Sequence, residues 1–173
     1  MVRNDRLFLN WISPSAGNRL CRIWLLTGLL LLVGTACSES PDILKLNAGG
    51  EQFRVEVADT PAKRNLGLSR RPSLAADAGM LFVYAEPNYL TFWMRDTLVD
   101  LDILFLDSDW GIVDLATMVV EPPRAADESQ SRYLARLPRY RSRQPARYAL
   151  EVSAGTIERL QLAAGQQVHA EVD

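Results

Sequence analysis

Cysteine and histidine are scarce in this chain. There are two cysteines, Cys21 and Cys37, and one histidine, His169. Because no thiol follows Cys37, the rest of the chain cannot hold a disulfide, a zinc site built from cysteine and histidine, or a Cys–His nucleophile pair. A Ser–His triad would have to use His169 as its base. The remaining residue types imply no cofactor.

Apolar runs long enough to cross a membrane are also missing. The run at residues 23–33 (IWLLTGLLLLV) has 11 residues, well short of the ~20 that span a bilayer as a helix. It follows a basic stretch and leads into Gly34-Thr35-Ala36-Cys37, the tripartite pattern of a secretory signal. This pattern resembles the bacterial lipoprotein signal, in which the cysteine carries the lipid.

We therefore expect residues 1–36 to be cleaved, and residues 37–50 to be a lipidated cysteine, Cys37, followed by a tether. The expected location is outside the cytoplasm, lipid-anchored to the periplasmic face of the outer or inner membrane. The membrane is then the first predicted partner, through the acyl chains on Cys37. The alternative is an uncleaved N-terminal anchor, which also places the domain outside the cytoplasm.

Charge is unevenly distributed after the signal segment. From Cys37 onward there are 15 Lys and Arg against 20 Asp and Glu, yet residues 122–147 contain seven arginines and two acids. In a cytoplasmic protein this arginine-rich segment, interleaved with tyrosines, would indicate nucleic-acid binding, but export argues against nucleic acid as a partner. Since the segment shows neither strand nor helix periodicity, we predict a long surface loop.

Short alternating stretches typical of strands fill most of the remaining chain. In residues 52–58, Phe53, Val55 and Val57 share one side of a half-buried strand. Thr60-Pro61 and Gly67 predict the start and end of a short helix. About seven such strands and two short helices predict a mainly β (small α+β) domain over residues 51–173, a compact pseudo-barrel or sandwich.

Several sequence blocks resemble a known family, the domain of unknown function 192 family. The blocks are FRVEVADTP (53–61), GLS (67–69), GMLFV (79–83), FWMRDT (92–97) and LDILFLD (101–107). The resemblance extends from about Phe53 to Val168. It implies a small β-rich pseudo-barrel with short helices, often exported, and it implies no activity. Asp100 stands where the family commonly has proline, and the segment after Glu121 lacks a cysteine that many relatives have.

The FWMRDT block suggests the first candidate ligand site. Its members are Trp93, Arg95, Asp96 and Thr97, together with Asp102 of the following strand. Asp100 and Asp102 should point to one face, because strand side chains repeat every two residues. Such a pair could act as acid and base, or bind Ca²⁺ or Mg²⁺ through oxygens, a weaker alternative. The competing structural interpretation is an ion pair of Arg95 with Asp96 or Asp102.

The arginine-rich segment suggests a second candidate site, for a partner or an anion. Its main residues are Arg132, Arg136, Arg139, Arg141 and Arg143. Outside the cytoplasm they could contact lipid headgroups, an acidic envelope polymer or a protein. Equally, the segment could be a solvated loop that lies on the acidic body of its own domain.

No complete catalytic constellation is present, which favours a non-enzymatic envelope module that binds a small ligand, a polymer or a protein. One alternative is a hydrolase that uses the paired aspartates, with or without a divalent cation. Another is an envelope scaffold or assembly protein recruited through the arginine-rich segment.

Overall fold

The computed structural model describes residues 42–171. The predicted signal segment 1–36 and the predicted lipidation site Cys37 lie outside the described residues. No helix within residues 42–171 is both long enough and apolar enough to cross a membrane.

A seven-stranded sheet is the main element of this single, mainly β domain. In chain order the strands are β1 (Ile43–Ala48), β2 (Glu51–Ala58), β3 (Ala78–Asn88), β4 (Thr91–Phe92), β5 (Leu101–Leu106), β6 (Ile112–Met118), β7 (Tyr140–Arg141), β8 (Ala146–Ser153) and β9 (Val168–Glu171). The helices are α1 (Pro61–Leu66), α2 (Gln130–Arg136) and α3 (Thr156–Arg159). The sheet order is β6-β5-β8-β3-β2-β1-β9, and β4 and β7 form a separate two-stranded ribbon.

The large sheet curls into a half-barrel whose two edges approach each other. All its pairs are antiparallel except β2 with β3. An isolated bridge joins Gly111, just before β6, to Gln167, just before β9. Trp110 and Val168 extend this contact, since the N–H of Val168 donates to the Trp110 carbonyl at 3.0 Å. This contact shields part of both sheet edges, which would otherwise present unpaired backbone groups.

Both faces of the sheet are buried at its central strands β5 and β8. Neighbouring residues of β5 pack into different clusters: Leu104 contributes to one side, and Ile103 and Phe105 to the other. The first cluster is covered by α3 and the segment after it, through residues such as Leu162. The second is covered by the chain after α1 and by the FWMRDT block. A strand buried on both faces reads as a continuous apolar run, which is how LDILFL appears in the sequence.

Local sequence signals predicted several elements well. Helix α1 begins after Thr60, whose hydroxyl accepts from the backbone N–H of Lys63 at 3.2 Å, and Gly67 ends it with a φ of 53°. The predicted mainly β class is confirmed, with nine strands and three helices in the described residues against about seven and two expected. Strand β1 lies within the expected tether, so the folded domain begins before residue 51.

The prediction of an irregular loop over residues 122–147 is wrong. This segment contains α2 and β7, and two of its own residues, Tyr133 and Leu137, are buried. Its capping residue, Ser129, accepts from the backbone N–H of Arg132 at 3.3 Å. The helix has only two turns, too short for a hydrophobic period to stand out among arginines.

Candidate functional site

A cavity of about 300 Å³ lies between α1, β3, β8 and the FWMRDT block. Its wall contains aromatic, hydroxyl and guanidinium groups, a mixture typical of small-molecule sites. The residues that line it are Pro61, Arg64, Asn65, Leu66, Gly67, Leu68, Ser69, Phe82, Tyr84, Thr91, Phe92, Trp93, Arg95, Thr97 and Glu151.

The aromatic part of this pocket is preorganised by ring packing. Phe82 and Phe92 meet edge to face with their centroids 4.9 Å apart. Phe92 makes a second edge contact with Phe105, at 5.8 Å. Such contacts hold rings in defined orientations. The pocket is therefore anchored directly to the hydrophobic layer beneath it.

Glu151 is the only acidic residue in the pocket lining. It lies in β8 between Met80 of β3 and Ile103 of β5 and is 5% exposed. Its carboxyl group has no hydrogen-bond or ion-pair partner within residues 42–171. Burial raises the pKa of Glu151 to about 8, since the charged form loses its hydration without compensation. At neutral pH this group is mostly a protonated carboxylic acid.

Sequence reasoning missed Glu151. It lies in β8, where both faces of the sheet are covered, so no side of the strand faces solvent. The signal that could have found it is a lone acid within the apolar stretch Ala149-Leu150-Glu151-Val152. A buried carboxyl group without a partner is costly, so its retention in a cavity wall points to a role there.

Three residues of the first candidate site line this pocket: Trp93, Arg95 and Thr97. Trp93 is 36% exposed at the mouth, with the guanidinium of Arg95 5.6 Å from its ring centroid. Arg95 also donates to the carbonyl of Asn65 in α1, at 2.5 Å. It makes no ion pair with Asp96 or Asp102, so the proposed structural pairing does not occur in the described chain.

Asp96 does not line the pocket and instead forms part of a turn. It has a positive φ of 54°, which aspartate tolerates better than most residues. Its backbone N–H donates to the Tyr133 hydroxyl at 3.0 Å, and its carbonyl accepts from the backbone N–H of Arg70 at 2.7 Å. Asp96 thus shapes the wall that presents Trp93 and Arg95 without being part of the lining.

The two aspartates expected to form an acid pair have separate structural tasks. Asp102 is 0% exposed, and its carboxylate accepts from the Thr117 hydroxyl at 2.7 Å and from the backbone N–H of Ile157 at 2.8 Å. Asp100 accepts from the backbone N–H of Val120 at 2.7 Å. Asp102 therefore ties β5 to β6 and to α3, and it does not reach the pocket. No group of three or more potential metal-ligating side chains occurs in the described part of the chain.

The arginine-rich segment is largely bound to its own domain. Arg136 pairs with Glu128 at 2.8 Å, and Arg143 pairs with Asp114 at 3.0 Å. Arg139 donates to two carbonyls of its own segment and stacks 4.1 Å from the ring centroid of Trp93. Arg132 and Arg141 are exposed, and Arg141 lies over the ring of Tyr89. Most of the predicted partner arginines are thus structural in this domain, and Arg139 contributes positive charge at the pocket mouth.

Comparison with known proteins supplies the family. Residues 44–170 match DUF192, described as Uncharacterized ACR, COG1430. The chain belongs to this family. No curated protein matches it.

Two crystal structures of bacterial proteins are similar to this DUF192 domain. One, from Sinorhizobium meliloti 1021, is described as a candidate transcription regulator; it is 31% identical, with a TM-score of 0.62, over 76% of this chain and 96% of that one. The other is a protein of unknown function from Novosphingobium aromaticivorans DSM 12444, 27% identical, with a TM-score of 0.58, over 76% and 94%. Both support the fold of the DUF192 domain, and neither supplies an activity.

Proposed function

We propose that this DUF192 protein is a non-enzymatic module of the bacterial cell envelope that binds a small ligand in the pocket around Glu151. The observation that carries the proposal is a buried carboxyl group without a partner in the wall of a preformed, aromatic cavity. Ligand sites commonly combine an apolar wall with a few convergent polar groups. The envelope location rests on the signal-like segment that ends at Cys37.

A binding role accounts for the pocket better than hydrolysis does. The acid pair on which a hydrolase would depend is not assembled, because the Asp102 carboxylate is buried among its own hydrogen-bond donors. Glu151 is a single carboxyl group, and the general acid–base chemistry of glycosidases requires two. The pocket also has a hydrophobic rim, since Leu66 and Trp93 are exposed beside it. An apolar rim favours ligand capture.

A fragment screen read by amide NMR shifts tests this proposal. Compounds that bind should shift the amides of α1, β4 and Glu151, whereas residues of the β5–β6 turn stay unchanged. Thr91 is exposed and lines the pocket, so Thr91→Trp should block binding without disturbing the core. Ser108→Trp, at an exposed position of the β5–β6 turn, is the matched control and should bind as the natural chain does. A screen with no pocket hits, or equal binding by Thr91→Trp, contradicts the proposal.

A further inference from the structure

Two arginines of the pocket wall carry charge that no acid in the described chain neutralises. Arg64 donates through Nη1 to the carbonyls of Asp59 and Val83, at 2.6 and 2.8 Å, and lies over the ring of Tyr84. Arg95 donates through Nη2 to the Asn65 carbonyl. Neither forms an ion pair within residues 42–171, so the positive charge of both groups remains available to a ligand.

The other N–H groups of these arginines are free to donate to a ligand, because the guanidinium groups are already positioned by backbone carbonyls. The carbonyl contacts use Nη1 of Arg64 and Nη2 of Arg95. The Nε and the second Nη of each make no hydrogen bond in the described structure. A guanidinium positioned by backbone carbonyls loses less freedom when it binds a carboxylate or phosphate. This arrangement differs from that of Arg71, Arg136 and Arg143, which pair with carboxylates of their own domain.

The single carboxyl group of the pocket lining does not cancel this charge. Glu151 is flanked by Met80 and Ile103 along the sheet and shares the pocket lining with Tyr84 on β3, with Arg64 on α1 and with Arg95. Its protonated carboxyl group offers a hydrogen-bond donor to a ligand at neutral pH. The lining is therefore positive overall, with a neutral donor in its buried part.

From this geometry we infer that the ligand is a small organic acid, whose anionic group binds Arg64 and Arg95 and whose apolar body packs against Phe82 and Phe92. This inference rests on the proposed function and names the chemical class of the ligand. The cavity of about 300 Å³ holds roughly ten non-hydrogen atoms, at the ~30 Å³ that one water occupies in the liquid. An acceptor atom on the body would face Glu151. An amine of the same size would place its charge beside two guanidinium groups, which disfavours it.

Three probes with one phenyl body and different head groups test the ligand class. Phenylacetate, 2-phenylethanol and 2-phenylethylamine are titrated into the full chain in mild detergent at pH 6.5, with pocket amide shifts as the readout. We expect phenylacetate to bind at least about tenfold more tightly than the other two, a difference of about 1.4 kcal/mol. Arg64→Gln and Arg95→Gln should each weaken phenylacetate severalfold and change the affinity of the uncharged alcohol much less. Arg141→Gln, at an exposed arginine outside the pocket, is the control and should change neither.

Raising the pH provides a second, independent readout. Ionisation of Glu151 above pH 8 places a negative charge in the pocket, so phenylacetate should bind several times more weakly at pH 9 than at pH 6.5. Of the other groups that share the lining with Glu151, Arg64 and Arg95 are guanidinium groups, and desolvation raises the pKa of Tyr84, which moves it further above this pH range. In Glu151→Gln the affinity should no longer depend on pH.

The outcomes separate the ligand class from the proposed function. If the amine or the alcohol binds more tightly than phenylacetate, the inference that the ligand is an organic acid is wrong, but the proposal that the pocket binds ligands stands. The same inference is wrong if the affinity for phenylacetate does not change with pH, or if it is unchanged in both Arg64→Gln and Arg95→Gln. If none of the three probes shifts the pocket amides, the acid is rejected, and the fragment screen with Thr91→Trp then decides whether the pocket binds anything.

Discussion

The hydroxyl of Tyr133 accepts a hydrogen bond from the backbone N–H of Asp96 at 3.0 Å and also donates to the Asp96 carboxylate at 3.3 Å. This double contact fastens α2, in the arginine-rich segment, to the turn that presents Trp93 and Arg95. The segment that looks like a loop in the sequence therefore supports the wall of the pocket.

Removing this hydroxyl should loosen the pocket wall. Because Tyr133 is buried and its hydroxyl makes two hydrogen bonds to one residue, Tyr133→Phe should destabilise the domain by about 1 kcal/mol. Urea unfolding measures this loss. Tyr89→Phe removes an exposed hydroxyl that makes no hydrogen bond in the described chain and serves as the control. Equal stability of the two variants would show that the contact does not support the fold.

Asp102 should behave as a structural residue. Asp102→Asn replaces an oxygen acceptor with an amide donor, which faces either the Thr117 hydroxyl or the Ile157 backbone N–H. We expect a loss of about 1–3 kcal/mol, since a buried donor or acceptor left without its partner costs about that much. Asp100→Asn should cost much less because Asp100 is exposed. Thermal unfolding compares the two, and unchanged stability in Asp102→Asn would restore the acid-pair hypothesis.

Glu151 should make the stability of the protein depend on pH. Its pKa is raised from the ordinary 4.5 to about 8 in the folded state, so between these values the folded state keeps a proton that the unfolded chain releases. The contribution is fully present below about pH 4.5 and is lost as the pH rises through 8, at up to about 1.4 kcal/mol per pH unit. Urea unfolding from pH 5 to 9 should show this decline in the natural chain and a flatter profile in Glu151→Gln. Parallel profiles would contradict the assignment.

Arg143 should matter for stability more than the other exposed arginines of its segment. Desolvation acts to raise the pKa of Asp114, but hydrogen bonds from the Arg143 side chain and backbone and from the Leu115 N–H lower it overall. Arg143→Ala removes the guanidinium from the nearly buried Asp114 carboxylate and leaves it only the backbone N–H groups of residue 143 and Leu115, which should lower the melting temperature. Arg132→Ala and Arg141→Ala should leave it nearly unchanged. If Arg132→Ala or Arg141→Ala lowered the melting temperature more than Arg143→Ala does, Arg143 would not be needed for the fold and would be available to a partner.

Short-range signals carried most of what the sequence could predict. The Thr60-Pro61 cap, the Gly67 stop and the continuous apolar run of β5 each depend on neighbouring residues, and the structure has all three where the sequence indicates them. The strand patterns predicted the mainly β class, and the family resemblance implied the same kind of fold.

The remaining features depend on contacts between distant parts of the chain. Trp93 and Arg95 were assigned to a pocket through the FWMRDT block, whereas Arg64 of α1 and Glu151 of β8 reach the same cavity only in the folded domain. In the sequence Asp102 looked free to bind a ligand, because its hydrogen-bond partners, Thr117 and Ile157, lie 15 and 55 residues away. Local pattern could not reveal that both sheet faces are covered, and this coverage makes Glu151 a buried acid.

The most direct test of the pocket is a pH titration of the Glu151 side-chain carboxyl carbon by NMR, with and without a fragment that binds. We predict a titration midpoint near pH 8 in the free protein and a clear shift of that midpoint when the pocket is occupied, with Thr91→Trp showing no response to the fragment. An ordinary midpoint near 4.5, unaffected by any bound compound, would contradict the account of Glu151 as the buried polar group of a ligand site.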